Sequence, residues 1–443
     1  MFFKFKEPPI IISVGGSLIV PNGGVDTVFL SKLNRFIRSQ VTKGKRFMLI
    51  AGGGRIARRY QDAGREVIGN INNEDLDWLG IHATRFNAHL LRTIFQDIAN
   101  PRIITNYEKK LFNWKEPLAI GAGWKPGWST DYDAVILARD YKAQVIINLS
   151  NIDGVYDKDP KKFKDAKLIK KITWEEMQKL TGSKWSPGFS APFDPIATPL
   201  ARRLGLTVIV SSGHDIDNLE KIIEGESFQG TVITPFKIDA GYYDRDYYLG
   251  KKGGHKLSHI ESSFGEAFHD LVNFCRALIY KITLNPKNAL DLGSGLGRTV
   301  KYLRMLGIDA YGVDVSKHAI DLASRDIKPF LLMADASKIP YPDNKFDLVF
   351  SHDLLQQLDH DKIKKTIGES IRVSKKYVIH KIYTKENLWY NLFHRRDFSN
   401  VSFFYKKYWD RLFSLFKDKA SLDKQRFMLP ALIETKFFLK KKS

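Results

Sequence analysis

Residues 288–298 read NALDLGSGLGR: an apolar run ends in Asp291, and Gly293, Gly295 and Gly297 follow at alternate positions. Such a run predicts a strand entering a glycine-rich turn. Glycine is needed there because a Cβ would hold a ligand away from the backbone, and because the turn calls for positive φ. The spacing is D-x-G-x-G-x-G, not the G-x-G-x-x-G of dinucleotide-binding turns, although the physics is shared. A second apolar run, AYGVDVS, contains Asp314 at its end, where a carboxylate can accept both hydroxyls of a ribose. Farther on, LLMADASKIPYPDNKFDLVF places Asp335 for an adenine amino group and predicts a buried strand around residues 346–350. Acidic strand ends in this order constrain the region to a Rossmann-like α/β sheet that binds an adenosyl ligand.

The 443 residues are enough for two large α/β domains, each with its own core. Hydrophobic residues make up 43% and charged residues 27%, which places the chain among ordinary globular proteins. The single cysteine, Cys275, excludes an intramolecular disulfide and a cysteine zinc cluster, and is expected to be a small buried apolar residue. The apolar run near the N-terminus is broken by Pro8 and Pro9, too soon for a signal peptide. No apolar stretch is long enough to predict a membrane span, so a cytoplasmic protein is expected. The net charge is +21, and residues 361–443 carry 21 basic and 8 acidic side chains. Trp389, Tyr390, Phe393, Phe398, Phe403, Phe404, Tyr405, Tyr408 and Trp409 interleave with those charges. One reading is a surface for RNA or anionic lipid; the other is that the aromatics face a core while the lysines are solvated.

The first part of the chain alternates apolar runs with amphipathic stretches, the pattern of a second α/β fold. PIIISV leads into Gly15, Gly16 and Ser17; FMLIA leads into Gly52, Gly53 and Gly54 and then a helix with Arg55, Arg58 and Arg59. VIINLS and LTVIVSS predict two further strands. Glycine turns opening onto helices aim backbone N–H groups and the positive helix end at a phosphate. With no G-x-x-x-x-G-K-[ST] in the chain, the pattern predicts a phosphoryl-transfer site without a Walker loop.

The segments VGGSLIVP (14–21), AGGGRIARRY (51–60), DWLGIHATRFNA (77–88), PGWSTDYDAVILA (126–138), NLSNIDGVYDKDPKK (148–162) and FQGTVI (228–233) resemble, in order, the amino acid kinase superfamily and within it the archaeal-type uridine monophosphate kinases. That resemblance implies a three-layer αβα sandwich, ATP and Mg²⁺ as cofactors, a nucleoside monophosphate as acceptor, and a homo-oligomer assembled through this domain. It implies that Gly15, Gly16 and Ser17 hold the transferred phosphoryl group, and that Gly53, Gly54 and Arg55 hold the acceptor's phosphate. Asp77 would bind the acceptor ribose, with Thr84 and Thr130 near its base or phosphate. Ser150, Asp153, Tyr156 and Asp159 would frame the adenosine of ATP, with Lys161 the nearest cation for its phosphates. Asp133 fits the aspartate that many members carry before the following helix. The chain departs from the pattern at Ser13, where many bacterial relatives have lysine, at Arg55, often a lysine, and in a lengthened loop around Trp124 and Trp128. Those tryptophans either pack on a base or pin the loop.

After residue 233 proline, glycine and charge cluster and periodicity is lost, which predicts a domain boundary. The expected division is a kinase-like domain over 1–236, a linker over 237–260 and a second domain over 261–443. Tyr242, Tyr243, Tyr247 and Tyr248 either form an aromatic lid or belong to a helix docked on the second domain. Residues 240–440 resemble the class I S-adenosylmethionine-dependent methyltransferases on the strength of Asp291, Gly293, Gly295, Gly297, Asp314 and Asp335. The resemblance implies S-adenosylmethionine as cofactor and an acceptor base from SHDLLQQLDH, with His352 leading and Asp353 second. His394 and the stretch 397–404 resemble an acceptor-side segment, with Asn400 where histidine is frequent. The expected protein is a kinase–methyltransferase fusion. Its rival is a kinase-like nucleotide-sensing module attached to an RNA or small-molecule methyltransferase.

Overall fold

The structure, a computed structural model, describes residues 8–22, 24–111, 114–160, 162–182, 192–235, 240–244, 247, 263–384, 406–423 and 435–442. The chain divides into two compact units, Met1–Ile223 with Phe228–Lys237 and Glu224–Ser227 with Ile238–Ser443.

In the first unit β1 (Ile10–Val14), β2 (Phe47–Ala51), β3 (Leu118–Gly121), β4 (Val145–Ser150), β5 (Lys171–Thr173), β6 (Thr207–Ser212) and β7 (Thr231–Thr234) form one sheet in the order β3-β2-β1-β4-β6-β7-β5. Neighbours are parallel except β6 and β7. The helices are α1 (Gly16–Ile19), α2 (Thr27–Thr42), α3 (Gly54–Ile68), α4 (Asn73–Ile94), α5 (Thr130–Tyr141), α6 (Trp174–Thr181), α7 (Ala197–Arg203) and α8 (Ile216–Glu224). IIISV and FMLIA are apolar runs rather than alternations because parallel strands are covered on both faces. Ile11, Met48, Ile50 and Ile146 pack with Val135, Met177 and Leu200 of α5, α6 and α7. On the other face Ile12, Val14, Leu49 and Ile147 meet Leu33, Leu91 and Leu219 of α2, α4 and α8. The result is the three-layer αβα arrangement. Local chemistry sets the helix starts: the side chains of Asp26, Asn72 and Ser129 accept from the amides of Phe29, Asp75 and Tyr132. Because Ser129 is the cap, Asp133 lies inside the first turn of α5, not ahead of it.

In the second unit β8 (Asn288–Leu292), β9 (Asp309–Asp314), β10 (Leu331–Met333), β11 (Phe346–His352), β12 (Ser374–Ile382), β13 (Ala420–Asp423) and β14 (Thr435–Lys441) run in the order β10-β9-β8-β11-β12-β14-β13. The first five are parallel, and β14 is antiparallel to both of its neighbours. The helices are α9 (Ser263–Leu284), α10 (Arg298–Met305), α11 (Lys317–Leu322), α12 (His360–Val373) and α13 (Lys406–Ser414). Ala277 and Tyr280 of α9 and Val300 and Leu303 of α10 cover one face; Ile363 and Ile367 of α12 and Trp409 and Phe413 of α13 cover the other. This is the Rossmann-like sheet that the acidic strand ends imply.

One expectation changes, and for two aromatic rings one of the two readings holds. Cys275 is exposed, because α9 turns Ala277 and Tyr280 inward and leaves the cysteine on its outer side. In the basic C-terminal region Trp409 is fully buried and Tyr408 packs against the same core, as the core-facing alternative holds for these two rings. Trp389, Tyr390, Phe393, His394, Phe398, Asn400, Phe403, Phe404 and Tyr405 lie outside the described residues, as do Tyr248 and most of 237–260. No helix among the described residues is long and apolar enough to cross a membrane.

Candidate functional site

The first site lies where β1, β2 and β4 end. The Gly15 amide donates to the Leu149 carbonyl at 2.8 Å and the Gly52 amide to the Val14 carbonyl at 2.9 Å, so both glycine turns are tied to strand ends. They also interlock. A Cβ on Gly16 would come within 1.9 Å of the Gly54 nitrogen, and one on Gly54, at φ +68°, within 2.3 Å of the Gly16 carbonyl oxygen. The Asn87 side chain donates to the carbonyls of Gly52 (2.8 Å) and Gly53 (3.2 Å). Asn87 sits inside the DWLGIHATRFNA segment, but its task shows only once α4 is laid against the turn. Ser17 is half-buried beside these glycines, and Arg55 opens α3 with its side chain exposed.

The segment aligned with the acceptor is partly engaged by the chain itself. Thr84 donates to the Ile81 carbonyl at 2.6 Å and accepts from the Gly123 amide at 2.8 Å. Asp77 accepts from the Gly127 amide at 2.7 Å, and burial pushes its pKa above the usual carboxylate range. Arg85 donates to the carbonyls of Gly123 and Trp124. The lengthened loop is therefore pinned along α4. Trp124 packs edge-on to Trp128 at 4.8 Å, with the Lys125 ammonium 4.2 and 4.7 Å from the two rings. Thr130, half-buried, begins α5 beyond this loop.

Sequence reasoning missed a buried polar cluster beneath the loop. Ser13 donates to Asp131 at 3.2 Å, and Asn148, the register partner of Ser13 across β1 and β4, reaches the same oxygen at 3.5 Å. The other Asp131 oxygen accepts from the Asp194 amide at 3.1 Å, and the Asp194 carboxylate accepts from Ser129. Burial, with the nearby Asp194 charge, pushes the Asp131 pKa up to about 7. Asp133 is fully buried with neither oxygen in a hydrogen bond of normal geometry, and burial pushes its pKa far up. The signal available beforehand was thin: two aspartates in STDYD and one before Pro195, 61 or more residues apart.

A cavity of about 210 Å³ opens beside β4 and β6, lined by Asp153, Ser212, His214, Asp215, Asn218 and Gln229. Tyr156 points its hydroxyl at Asp153, 3.4 Å away. Ser150 ends β4, and its carbonyl accepts from the Gly213 amide at 2.8 Å. Asp159 is exposed, and Lys161 lies outside the described residues. The structure thus groups Ser150, Asp153 and Tyr156 with Ser212, His214 and Asp215, which the sequence did not single out.

In the second unit Gly293, Gly295 and Gly297 all have positive φ, 72°, 53° and 71°. The Gly295 amide donates to one Asp314 oxygen and the Ser316 amide to the other, both at 2.8 Å. Burial raises the Asp314 pKa against these amides, and it pushes Asp291 far up despite the neighbouring Arg276 charge. Asp335 is opposed by burial but held below its ordinary range by the Ser337 amide and hydroxyl and by Lys362, 3.0 Å away. A cavity of about 180 Å³ opens between Asn273, Arg276, Asp291, Ser294, Thr299 and His352. The His352 Nε2 lies 3.0 Å from the Tyr280 hydroxyl, with the rings stacked. Asp353, at φ +59°, faces the buried Lys381 ammonium at 3.2 Å instead of the cavity. A positive-φ glycine turn, a buried strand-end carboxylate and an adjoining polar cavity fit an adenosyl cofactor with an amino-acid tail.

Interlocked glycine turns on a three-layer sheet, followed by an acidic-ended Rossmann-like sheet, define a kinase-type fold joined to a methyltransferase-type fold. Residues 8–212 match the family model of the amino acid kinase family, and residues 290–379 match that of a methyltransferase domain. The uridylate kinase of Sulfurisphaera tokodaii is 35% identical over 206 residues, spanning 46% of this chain and 90% of the relative. That of Methanobrevibacter smithii is 33% identical over 227 residues, spanning 51% and 99%. The crystal structure of uridylate kinase from Archaeoglobus fulgidus aligns with 28% identity and a TM-score of 0.43, over 51% of this chain and all of that one. The chain belongs to the amino acid kinase family, and it carries a methyltransferase domain as well.

Proposed function

We infer that the first unit transfers the terminal phosphoryl group of ATP to UMP, and that the second transfers a methyl group from S-adenosylmethionine to an acceptor. The observation that carries the kinase assignment is the pair of interlocked turns, Gly15–Gly16 and Gly52–Gly54, held at strand ends within the 206 residues that are 35% identical to a uridylate kinase. Their amides, with Ser17, receive the phosphoryl group in flight, and Arg55 with Gly53 and Gly54 receives the acceptor phosphate. A phosphate monoester is already ionised at neutral pH, so the site needs positioning and charge screening more than a strong base. Asp153, Tyr156 and the 210 Å³ cavity take the donor nucleoside. Among the described residues no three His, Cys, Asp or Glu side chains are placed to hold a metal ion. Mg²⁺ would enter bound to the nucleotide phosphates, as is usual for that ion.

In the second unit the sulfonium of S-adenosylmethionine supplies the reactive methyl group. The protein's part is to bind and orient. Asp314 accepts the ribose hydroxyls, the Gly293–Gly297 turn admits the backbone close to the ligand, Asp335 addresses the adenine, and Arg276 with Asp291 faces the amino-acid end. His352, aligned by Tyr280, is the group positioned to take a proton from an acceptor.

One observation favours a second reading of the first unit. Asp77 and Thr84 already hold the lengthened loop, as they would in a domain that senses a nucleotide without turning it over. Incubating the full chain with ATP, Mg²⁺ and each nucleoside monophosphate decides between them. UDP formed from UMP, ahead of the products from CMP, AMP and GMP, is the expected result. ATP binding without phosphorylation of any of the four would establish the sensing module instead.

A further inference from the structure

We propose that the tyrosines at 243 and 247 form the wall of the methyl-donor site against which the adenine stacks. The proposal rests on the second unit binding S-adenosylmethionine and extends that binding to a segment ahead of the methyltransferase match. Ser316 joins the carboxylate to the tyrosine segment: it caps α11, receiving the Ala319 amide on its hydroxyl, and its own amide donates to Asp314. The same hydroxyl donates to the Tyr243 carbonyl at 2.6 Å. One unbroken series of hydrogen bonds thus runs from Gly295 through Asp314 and Ser316 to Tyr243.

The rings near that anchor hold one another. Tyr242 is buried, and it meets Tyr243 edge-on at 5.5 Å and Tyr247 at 5.7 Å; Tyr243 and Tyr247 meet edge-on at 4.9 Å. Tyr243 and Tyr247 keep part of their surface open. Between the ribose carboxylate and the tyrosine anchor stands Val315, 37% exposed. A carboxylate, an open aliphatic side chain and two partly open rings follow one another over three residues of β9–α11 and the segment fastened to them. A ribose followed by a flat, apolar-faced base presents matching groups in the same order. Ring–base stacking needs the π-face, not the phenol hydroxyl.

Calorimetry on the full chain with S-adenosylhomocysteine and with methylthioadenosine tests this. Tyr243→Ala and Tyr247→Ala should each weaken both ligands about tenfold, the scale of one lost aromatic–base contact, while Tyr243→Phe and Tyr247→Phe bind as the wild type does. Equal weakening of the two ligands places the loss at the nucleoside end, because methylthioadenosine lacks the amino-acid tail. Circular dichroism melting confirms that the alanine variants are folded, and the phenylalanine pair keeps the test valid if an alanine variant is not. Wild-type affinity in both alanine variants, or phenylalanine variants as weak as alanine ones, overturns the proposal. Asp314→Ala separates the layers: a wild type that binds neither ligand overturns the methyl-donor assignment itself, whereas binding lost in Asp314→Ala but untouched in the tyrosine variants overturns only the aromatic wall.

Discussion

Asp131 keeps a charge only against its surroundings. Its carboxyl is pushed up to about 7 by burial and by Asp194, so the folded state holds a proton that the unfolded chain releases near pH 4. A raised carboxyl contributes stability below its unfolded pKa and loses it as pH rises through the folded one. The first unit should therefore lose stability between about pH 4 and about pH 7 on this account. Asparagine at 131 can accept from the Asp194 amide and donate to Ser13, whose hydroxyl can accept as well as donate. Asp131→Asn should flatten that pH dependence and melt above the wild type at pH 8, by roughly 2–4 °C for each kcal/mol recovered. Melting curves across pH settle it, and parallel curves for the two proteins would remove Asp131 from the role. Residues of this kind also mark the limit of sequence reading. Asp291 and Asp314 were legible because each stands at the end of an apolar run and the strand alone positions it. Asp131, Asp194, Asn87 and Ser316 were not, because their partners lie up to 118 residues away or on another element.

At the scale of elements, the strands were legible from apolar runs and the turns from glycine, while the pairing of turns was not. Nothing in AGGGRIA or VGGSLIV says that the two loops touch, yet the contact of Gly16 with Gly54 makes both glycines irreplaceable. The helix α3 carries a second message. It buries only Ala57 and Gln61, although its sequence is strongly two-sided. Val67 is 85% exposed and Ile68 65%, and Phe86 of the neighbouring α4 is 69% exposed. Apolar side chains left exposed on adjacent helices are where a second copy of this chain would dock if the homo-oligomer that the kinase resemblance implies forms. Sedimentation should show a dimer or larger assembly, and the pair Val67→Asp with Phe86→Asp should shift it toward monomer. A wild type that is monomeric at micromolar concentration would sink the assignment.

Over the whole molecule, two sheets with separate cores divide the work. The residues that bury β1, β2 and β4 come from α2, α4, α5, α6, α7 and α8, and those that bury β8 and β11 come from α9, α10, α12 and α13. Among the described residues each core draws on the helices of its own unit, and units of this kind unfold as separate cooperative blocks. A ligand that binds only the folded form of one block raises the melting temperature of that block alone, by an amount set by its concentration over its Kd. At a hundredfold excess over Kd the gain is about 2.7 kcal/mol, enough to move one transition of a 200-residue unit by several degrees. Scanning calorimetry of the full chain should accordingly resolve two transitions. ATP with Mg²⁺ should move one of them and S-adenosylhomocysteine the other, and together the two ligands should move both by the same amounts as singly. A single transition shifted by either ligand would mean that the two halves fold as one block. Shifts that exceed the separate ones when both ligands are present would mean that the sites are coupled, and that the fusion of a phosphoryl-transfer fold with a methyl-transfer fold serves communication between them.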